Sequence, residues 1–256
     1  SGIYYGRFKI NIPLTLIGEP GAILDAQEKG DVIQVRAPDV VIRGLTIQGT
    51  GKSLDQENSG ITVLAPRVTI ENCILRDVLF GIFLKKAPDS VLQGNIVGGK
   101  ALYIARRGDG IRIWESSGTL IENNVVDYSR DVVIWFSDNV RIINNRFSHG
   151  RYGLHFMYSD NNVLKGNRLV NNSVGAFLMY SHNLTLIGNR FQSNRGPTGY
   201  GIGLKDIDGL TARQNLFIGN RVGISLDNSP SEIDVYHHFE DNIIAYNDIG
   251  IGIMPS

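Results

Sequence analysis

Two methionines and a histidine are the side chains whose types and spacing could hold a metal ion. His155 and Met157 lie two residues apart in the segment 151–167, and a near-copy of this segment places Met179 at the position equivalent to Met157, 22 residues later. In stacked strands, residues one repeat apart lie about 5 Å from each other. Two thioethers and an imidazole at that distance favour a soft ion such as Cu(I) over calcium or magnesium. His182, at the corner after Met179, is a further candidate ligand, although its place further around the corner argues against it.

The same methionines have a simpler interpretation. Methionine is a flexible, polarizable residue that fills irregular packing gaps and protein interfaces. The sequence alone therefore leaves two roles open for Met157 and Met179, copper ligation or apolar contact.

A repeat of about 22 residues runs through the chain. Each turn begins with an entry, a Gly followed by an aliphatic residue, and Asp131 replaces this Gly once. In six successive turns an Asn follows the entry by 14 residues, and in an earlier turn Gly60 precedes Asn72. Positions one and three after each entry are apolar, which is the period of a strand with one buried face. The repeat predicts an all-β fold, a right-handed parallel β-helix over residues 1–256, with the Asn residues as a structural ladder at the corners.

Four insertions interrupt the repeat, and long loops on a rigid scaffold often carry binding sites. They comprise residues 50–59, 98–109, 192–200 and 227–238. The chain opens at Ser1 without Met and stops in mid-strand at Ser256, so we expect a processed or cloned fragment, truncated at its C-terminus.

The outward-facing columns of the second strand of each turn are unusually apolar. Trp114, Trp135 and Phe177 join the two methionines on a face that should be solvated, with Arg112 beside them. An exposed apolar patch of this kind favours a partner surface. The alternative is that the insertion 98–109 folds over the patch and buries it.

Composition excludes several classes of function. Equal numbers of acidic and basic residues, 25 of each, remove the basic surface that nucleic-acid binding needs. No apolar run is long enough to span a membrane. Cys73 is the only cysteine, so we predict a packing role for it, with no intramolecular disulfide.

Catalysis by carboxylates is the main alternative from another class. Asp138 and Asp160 occupy equivalent corners, and stacked acids could cleave or bind a carbohydrate. An Asp before an Asn in a tight corner more often stabilises the turn by hydrogen bonds to the backbone. The segments Arg106-Arg-Gly-Asp109 and Ser129-Arg-Asp131 are better explained as ion-paired corners. We therefore predict a non-enzymatic protein and keep carbohydrate binding or cleavage as the alternative.

The run Arg151-Tyr-Gly-Leu-His-Phe-Met-Tyr-Ser159 resembles the NosD family, as do Arg107-Gly-Asp-Gly110 and the segment 196–206. Family resemblance implies a periplasmic right-handed β-helix that handles Cu(I) while nitrous-oxide reductase matures. It further implies association with an ABC-type ATPase, a membrane permease and a lipoprotein copper chaperone. It adds weight to Met157, Met179 and His155 as copper ligands.

Overall fold

Short strands joined by tight corners make up the chain in the computed structural model, which describes residues 2–254. The strands are β1 Gly2–Tyr5, β2 Phe8–Ile10, β3 Thr15–Ile17, β4 Ala22–Asp25, β5 Ile33–Val35, β6 Val41–Arg43, β7 Thr46–Gln48, β8 Ser59–Val63, β9 Thr69–Glu71, β10 Ile74–Val78, β11 Phe80–Lys85, β12 Val91–Gln93, β13 Ile96–Gly99, β14 Ile111–Trp114, β15 Leu120–Glu122, β16 Val125–Asp127, β17 Asp131–Trp135, β18 Arg141–Ile143, β19 Arg146–Ser148, β20 Tyr152–Met157, β21 Val163–Lys165, β22 Arg168–Val170, β23 Val174–His182, β24 Thr185–Ile187, β25 Arg190–Gln192, β26 Tyr200–Asp208, β27 Thr211–Arg213, β28 Leu216–Ile218, β29 Val222–Asp227, β30 His238–Glu240, β31 Ile243–Ala245 and β32 Ile249–Met254. A 3₁₀ turn at Ile104–Arg106 is the one helical element among these residues.

Each strand pairs in parallel with the strand three positions later in the chain, which produces three long sheets wound around one core. The first sheet contains β1 and ten later strands, the second contains β2 and ten later strands, and the third contains β3 and nine later strands. This is the right-handed parallel β-helix that the repeat predicted.

The interior is filled by the inward side chains of each turn. Phe156, Phe191 and Phe217 are fully buried, and the rings of Phe191 and Phe217 stack at 4.9 Å. Burying one such side chain stabilises a fold by roughly 1.5–3 kcal/mol. Because buried apolar side chains stack on one another from turn to turn, the repeat itself supplies the packing.

The corner asparagines form the predicted ladder. In each of six links, one asparagine donates its backbone N–H and its Nδ2 to Oδ1 of the asparagine one turn later, at 2.8–3.0 Å, along Asn95, Asn124, Asn145, Asn167, Asn189, Asn215 and Asn242. A second ladder, which the sequence interpretation did not identify, runs along Asn172, Asn194, Asn220 and Asn247. Both ladders satisfy backbone groups that the tight corners leave unpaired.

The assignment of Asn72 to the ladder is wrong by one residue. Cys73 holds the ladder position, because its N–H donates to Oδ1 of Asn95 at 3.0 Å. Ile74 is 45% exposed and Leu75 is buried, so the alternation of buried and exposed residues is shifted by one from what a ladder residue at Asn72 would give. Cys73 itself is fully buried at this corner, as a packing residue would be, and burial raises the pKa of its thiol.

The longest connections cluster at one corner. Residues 49–58, 100–110 and 193–199 each join a strand of the first sheet to one of the second, whereas residues 228–237 join the second sheet to the third. Over residues 2–254, the structure contains no helix with the length and hydropathy needed to cross a membrane.

Candidate metal-binding face

Met157 and Met179 are direct neighbours on the outer face of the second sheet. They are Cα partners in the pairing of β20 with β23, and the column continues to Trp135 on one side and Lys205 on the other. Both methionines are half-buried. The two thioethers therefore project from adjacent rungs, about 4.8 Å apart along the axis.

His155 lies on the same strand and the same face, but deeper than its methionine neighbours. It is 7% exposed, and the rings of Trp135 and Tyr152 contact it edge-on with centroids at 5.3 and 5.0 Å. Burial lowers the pKa of His155 to about 4. Asp131 opposes this shift by its attraction for the charged imidazole, and the positive charges of Arg151 and Arg130 add to it. The imidazole is therefore neutral at ordinary pH, which is the form that binds metal ions.

A buried carboxylate supports this histidine. Asp131 is 2% exposed, accepts hydrogen bonds from Nε of Arg151 and the N–H of Tyr152, and lies with Oδ2 3.9 Å from Nδ1 of His155. That Nδ1 is buried and has no hydrogen-bond partner among the described residues. Asp131 stands at the entry position of its turn, as the repeat predicted, because Val132 after it pairs with Ile111 after Gly110. Toward the next turn it pairs with Tyr152 across a β-bulge, and its side chain lies in the charged cluster.

Arg112 has an internal role and presents little of itself to a partner. Its side chain is 12% exposed, its guanidinium donates to Asp109 and Glu57, and it lies over the rings of Phe80 and Trp135. Burial raises the pKa of Asp109 to about 6. The attraction of Arg112 and Arg130 opposes this shift, and repulsion from Asp131 adds to it. Asp109 and Asp131 are thus ion-paired, as predicted, but with Arg112, Arg130 and Arg151 and not with Arg106.

The predicted partner surface is half-buried. Trp114, Trp135 and Phe177 are each partly exposed, and Trp114 contacts Trp135 edge-on at 5.9 Å. The insertion 98–109 does not cover them, since its Arg107 lies against Tyr128 and hydrogen-bonds the carbonyl of His149. Three insertions contact the edge of this face: Glu57 and Asp109 pair with Arg112, and the ring of Tyr200 lies edge-on to Phe177 at 6.3 Å.

A column of stacked aromatic rings borders the methionines and was not predicted from the sequence. Phe136, Tyr158 and Tyr180 stack at 5.3 and 5.1 Å with nearly parallel planes. Each adopts a left-handed backbone, with φ near +50°, which bulky residues rarely do. The signal was present, because an aromatic residue directly follows Trp135, Met157 and Met179. These rings extend the apolar face toward the third sheet.

His182 belongs to a different group from the methionines. Its Nδ1 lies 3.2 Å from Oδ1 of Asp160, and its Nε2 lies 3.9 Å from Asp208 and 3.8 Å from Glu232. Asp138 and Asp160 each accept a backbone N–H from the next turn, so both stabilise the corner as turn chemistry predicts. The structure therefore brings His155, Met157 and Met179 together on one face and places His182 with carboxylates.

A cleft of about 440 Å³ opens between two insertions at the opposite edge of the second sheet. It is lined by polar groups that include Arg107, His149, Asn172 and Arg195. His149 stacks on Tyr128 at 4.7 Å and shares a hydrogen bond with Asp127. The wall is thus both aromatic and polar.

A family model described as "Periplasmic copper-binding protein (NosD)" matches residues 93–256. Two curated proteins named "Probable ABC transporter binding protein NosD" align over 134 residues, 51% of this chain. The protein from Stutzerimonas stutzeri is 34% identical and the one from Pseudomonas aeruginosa is 30% identical. The alignments cover 31% of each relative's length, less than a third.

Solved structures with the same fold are distant in sequence. The periplasmic alginate epimerase AlgG superposes with a TM-score of 0.64 at 15% identity, over 99% of this chain and 78% of its own. The A-module of the mannuronan C-5 epimerase AlgE4 from Azotobacter vinelandii gives 0.63 at 14% identity, over 100% of this chain and 87% of its own. At this identity the likeness establishes the β-helix and nothing about activity.

Proposed function

This chain belongs to the NosD family, and from that premise we propose that it is a periplasmic protein that receives Cu(I) and passes it on. We assign Met157, Met179 and His155 as the ligands. His182 is left out of this set, because its two ring nitrogens face carboxylates.

The single observation that carries the proposal is the pairing of Met157 with Met179 beside a buried, neutral imidazole. Thioether sulfur is a soft ligand that favours Cu(I), and imidazole also suits copper. A neutral histidine needs no proton displaced before it binds. The donor set therefore fits Cu(I) as cargo.

The aromatic side chains around the methionines fit a docking frame. Trp114, Trp135 and Phe177 are half-buried, so part of each ring is available to another protein. The relatives' name, ABC transporter binding protein, supports an ABC-type ATPase and permease as partners. We extend the proposal to a lipoprotein copper chaperone as donor and nitrous-oxide reductase as recipient.

We propose further that the protein is not an enzyme. Asp138 and Asp160 hold backbone N–H groups at their corners, and Asp109 and Asp131 are buried in ion pairs. These carboxylates are therefore occupied by structural contacts. This supports transfer of copper over acid–base cleavage of a substrate.

An anaerobic Cu(I) competition titration against a chromogenic chelator tests the assignment. The wild type should withdraw one equivalent of Cu(I) from the chelator, and Met157→Ala/Met179→Ala should not. Met254→Ala is the matched control, because Met254 lies in the same outward column, on β32, and is 45% exposed. It should bind as the wild type does.

Failure of the wild type to compete, both alone and with the purified chaperone present, would refute copper transfer by this chain. Equal loss of affinity in Met254→Ala and the double variant would refute the site but not copper binding.

Carbohydrate binding is a second candidate, and the polar cleft beside the Tyr128–His149 stack is the observation that favours it. Sugars bind where aromatic rings and hydrogen-bonding side chains converge. A glycan array with the wild type and His149→Ala tests it. Specific binding that His149→Ala removes would support this function.

A further inference from the structure

A second group of metal-binding side chains lies at the corner between the second and third sheets. One nitrogen of His182 and one oxygen each of Asp208 and Glu232 lie within 4.8 Å of one another. None of the three belongs to the Met157–Met179 face. The group is independent of the copper proposal.

The orientation of His182 leaves its Nε2 free to bind. Nδ1 faces a carboxylate oxygen of Asp160 at 3.2 Å, and an ionised carboxylate only accepts, so Nδ1 carries the hydrogen. In the neutral ring, Nε2 then holds a lone pair. Asp208 and Glu232 face this atom at 3.9 and 3.8 Å. An imidazole that donates to a carboxylate on one side and meets ligands on the other is the usual arrangement of a metal-bound histidine.

Asp208 is buried and held in place by hydrogen bonds. Its side chain is 4% exposed. Its Oδ2 accepts a hydrogen bond from the hydroxyl of Ser231, and its Oδ1 accepts one from the backbone N–H of Glu232. The same hydrogen bonds fix the chain at Ser231 and Glu232, within the insertion 227–238. The insertion therefore delivers the third side chain to the other two.

The charge and the donor types define the ion. Two carboxylates and a neutral imidazole together carry two negative charges and offer one nitrogen and two oxygens. This set suits a borderline divalent ion such as Zn²⁺, and the absence of sulfur makes it a poor site for Cu(I). We propose that His182, Asp208 and Glu232 form a second metal site, for a divalent ion with nitrogen and oxygen ligands.

Calorimetric titration of the full chain with Zn²⁺ in a non-chelating buffer tests this proposal. The wild type should bind one equivalent. Because even an outer partner of a metal-bound histidine contributes about 10- to 100-fold in affinity, His182→Gln and Glu232→Gln should each weaken binding at least tenfold. Asp234→Asn is the matched control for Glu232→Gln: it removes an exposed carboxylate from the same insertion and should leave the affinity unchanged.

Two further readouts separate this site from the copper face. Met157→Ala/Met179→Ala should keep its Zn²⁺ affinity, and the X-ray absorption spectrum of bound zinc should show nitrogen and oxygen neighbours without sulfur. Absence of Zn²⁺ binding by the wild type would overturn the proposal in favour of a protonated His182 ion-paired with the carboxylates. Sulfur in the spectrum, or unchanged affinity in Glu232→Gln, would overturn it too.

Discussion

Nδ1 of His155 lies 3.9 Å from Oδ2 of Asp131, and Asp131 is held in place by the guanidinium of Arg151. The distance exceeds a hydrogen bond, so the carboxylate attracts the imidazole without fixing it. A small rotation of His155 that closes this gap would leave Nε2 as the atom that faces a ligand. We therefore expect Asp131 and Arg151 to bias the orientation of the histidine ring without fixing it.

Arg151→Met should destabilise the protein strongly. It removes the main partner of a carboxylate that is 2% exposed, and an uncompensated buried charge typically costs about 3–5 kcal/mol. Arg130, 3.7 Å from Asp131, softens the loss, so we expect about 2–4 kcal/mol in urea denaturation. Arg168→Met, at an exposed position on the first sheet, is the control and should change the free energy of unfolding by less than about 0.5 kcal/mol.

Asp109 should make the stability fall as pH rises through the mildly acidic range. Its pKa is raised from 3.8 to about 6 in the folded protein, so between these values the folded chain holds a proton that the unfolded chain has lost. The free energy of unfolding therefore decreases from pH 4 to 6, by at most about 3 kcal/mol from this group.

His155 acts with the opposite sign, because its lowered pKa costs stability as pH falls below 6.5. The contribution of Asp109 is therefore obtained as the difference in the free energy of unfolding between the wild type and Asp109→Asn. Urea denaturation of both proteins between pH 4 and 7 measures this difference. The stability of the wild type should fall relative to the variant as pH rises, and parallel curves would contradict the prediction.

Removing a central ladder rung should be costly. In Asn167→Ala, the backbone N–H and Nδ2 of Asn145 both lose their acceptor, and all these groups are buried. Each buried group left unsatisfied costs about 1–3 kcal/mol, so the two groups together should cost about 2–6 kcal/mol in thermal or urea unfolding. Asn242→Ala is matched in chemistry but half-exposed, and water should reduce its cost. Equal losses in the two variants would contradict this account.

The fold followed from the sequence because one local pattern recurs at every turn. The alternation of apolar residues and the spacing from Gly to Asn predict strands and corners without knowledge of distant contacts. The column of Trp135, Met157 and Met179 could be predicted for the same reason, because the alternation of side chains along each strand puts these three on the outer face of the sheet.

The charged groups could not be predicted in this way. The ion pair of Glu57 with Arg112 joins residues 55 positions apart, through an insertion whose path no repeat specifies. The spacing predicted the entry position of Asp131 but not its pairing with Tyr152, because a bulge of one residue leaves the distance to the next Asn unchanged. Asn72 was misassigned because Cys73 follows it, and a cysteine carries no ladder signal.

Cys73→Asn should extend the ladder by one rung without loss of stability. The thiol already receives the N–H of Leu45 and lies 3.8 Å from the carbonyl of Ile42, where an amide could make both contacts. A new Nδ2 would also meet Oδ1 of Asn95, which now accepts the N–H of residue 73. We expect the free energy of unfolding to stay equal or rise by about 1 kcal/mol.

Cys73→Asp is the control for this change, since it has the same shape but no N–H to donate. It should lower the midpoint of urea denaturation clearly below that of the wild type. Destabilisation of Cys73→Asn to the same extent would show that the corner cannot hold a branched polar side chain.

All rungs of the first Asn ladder donate in one direction, from each turn to the next. Aligned hydrogen bonds polarise one another, so a link in the middle of such a chain is stronger than one near either end. Amide hydrogens of the central turns should therefore exchange with solvent last, and local opening should begin at the outer turns. Met157 and Met179 stand on the turns of Asn167 and Asn189, within that slow-exchanging part. We therefore expect the backbone beneath them to be stiff, so that any adjustment of the proposed copper site to an ion of a different size would come from rotations of their side chains.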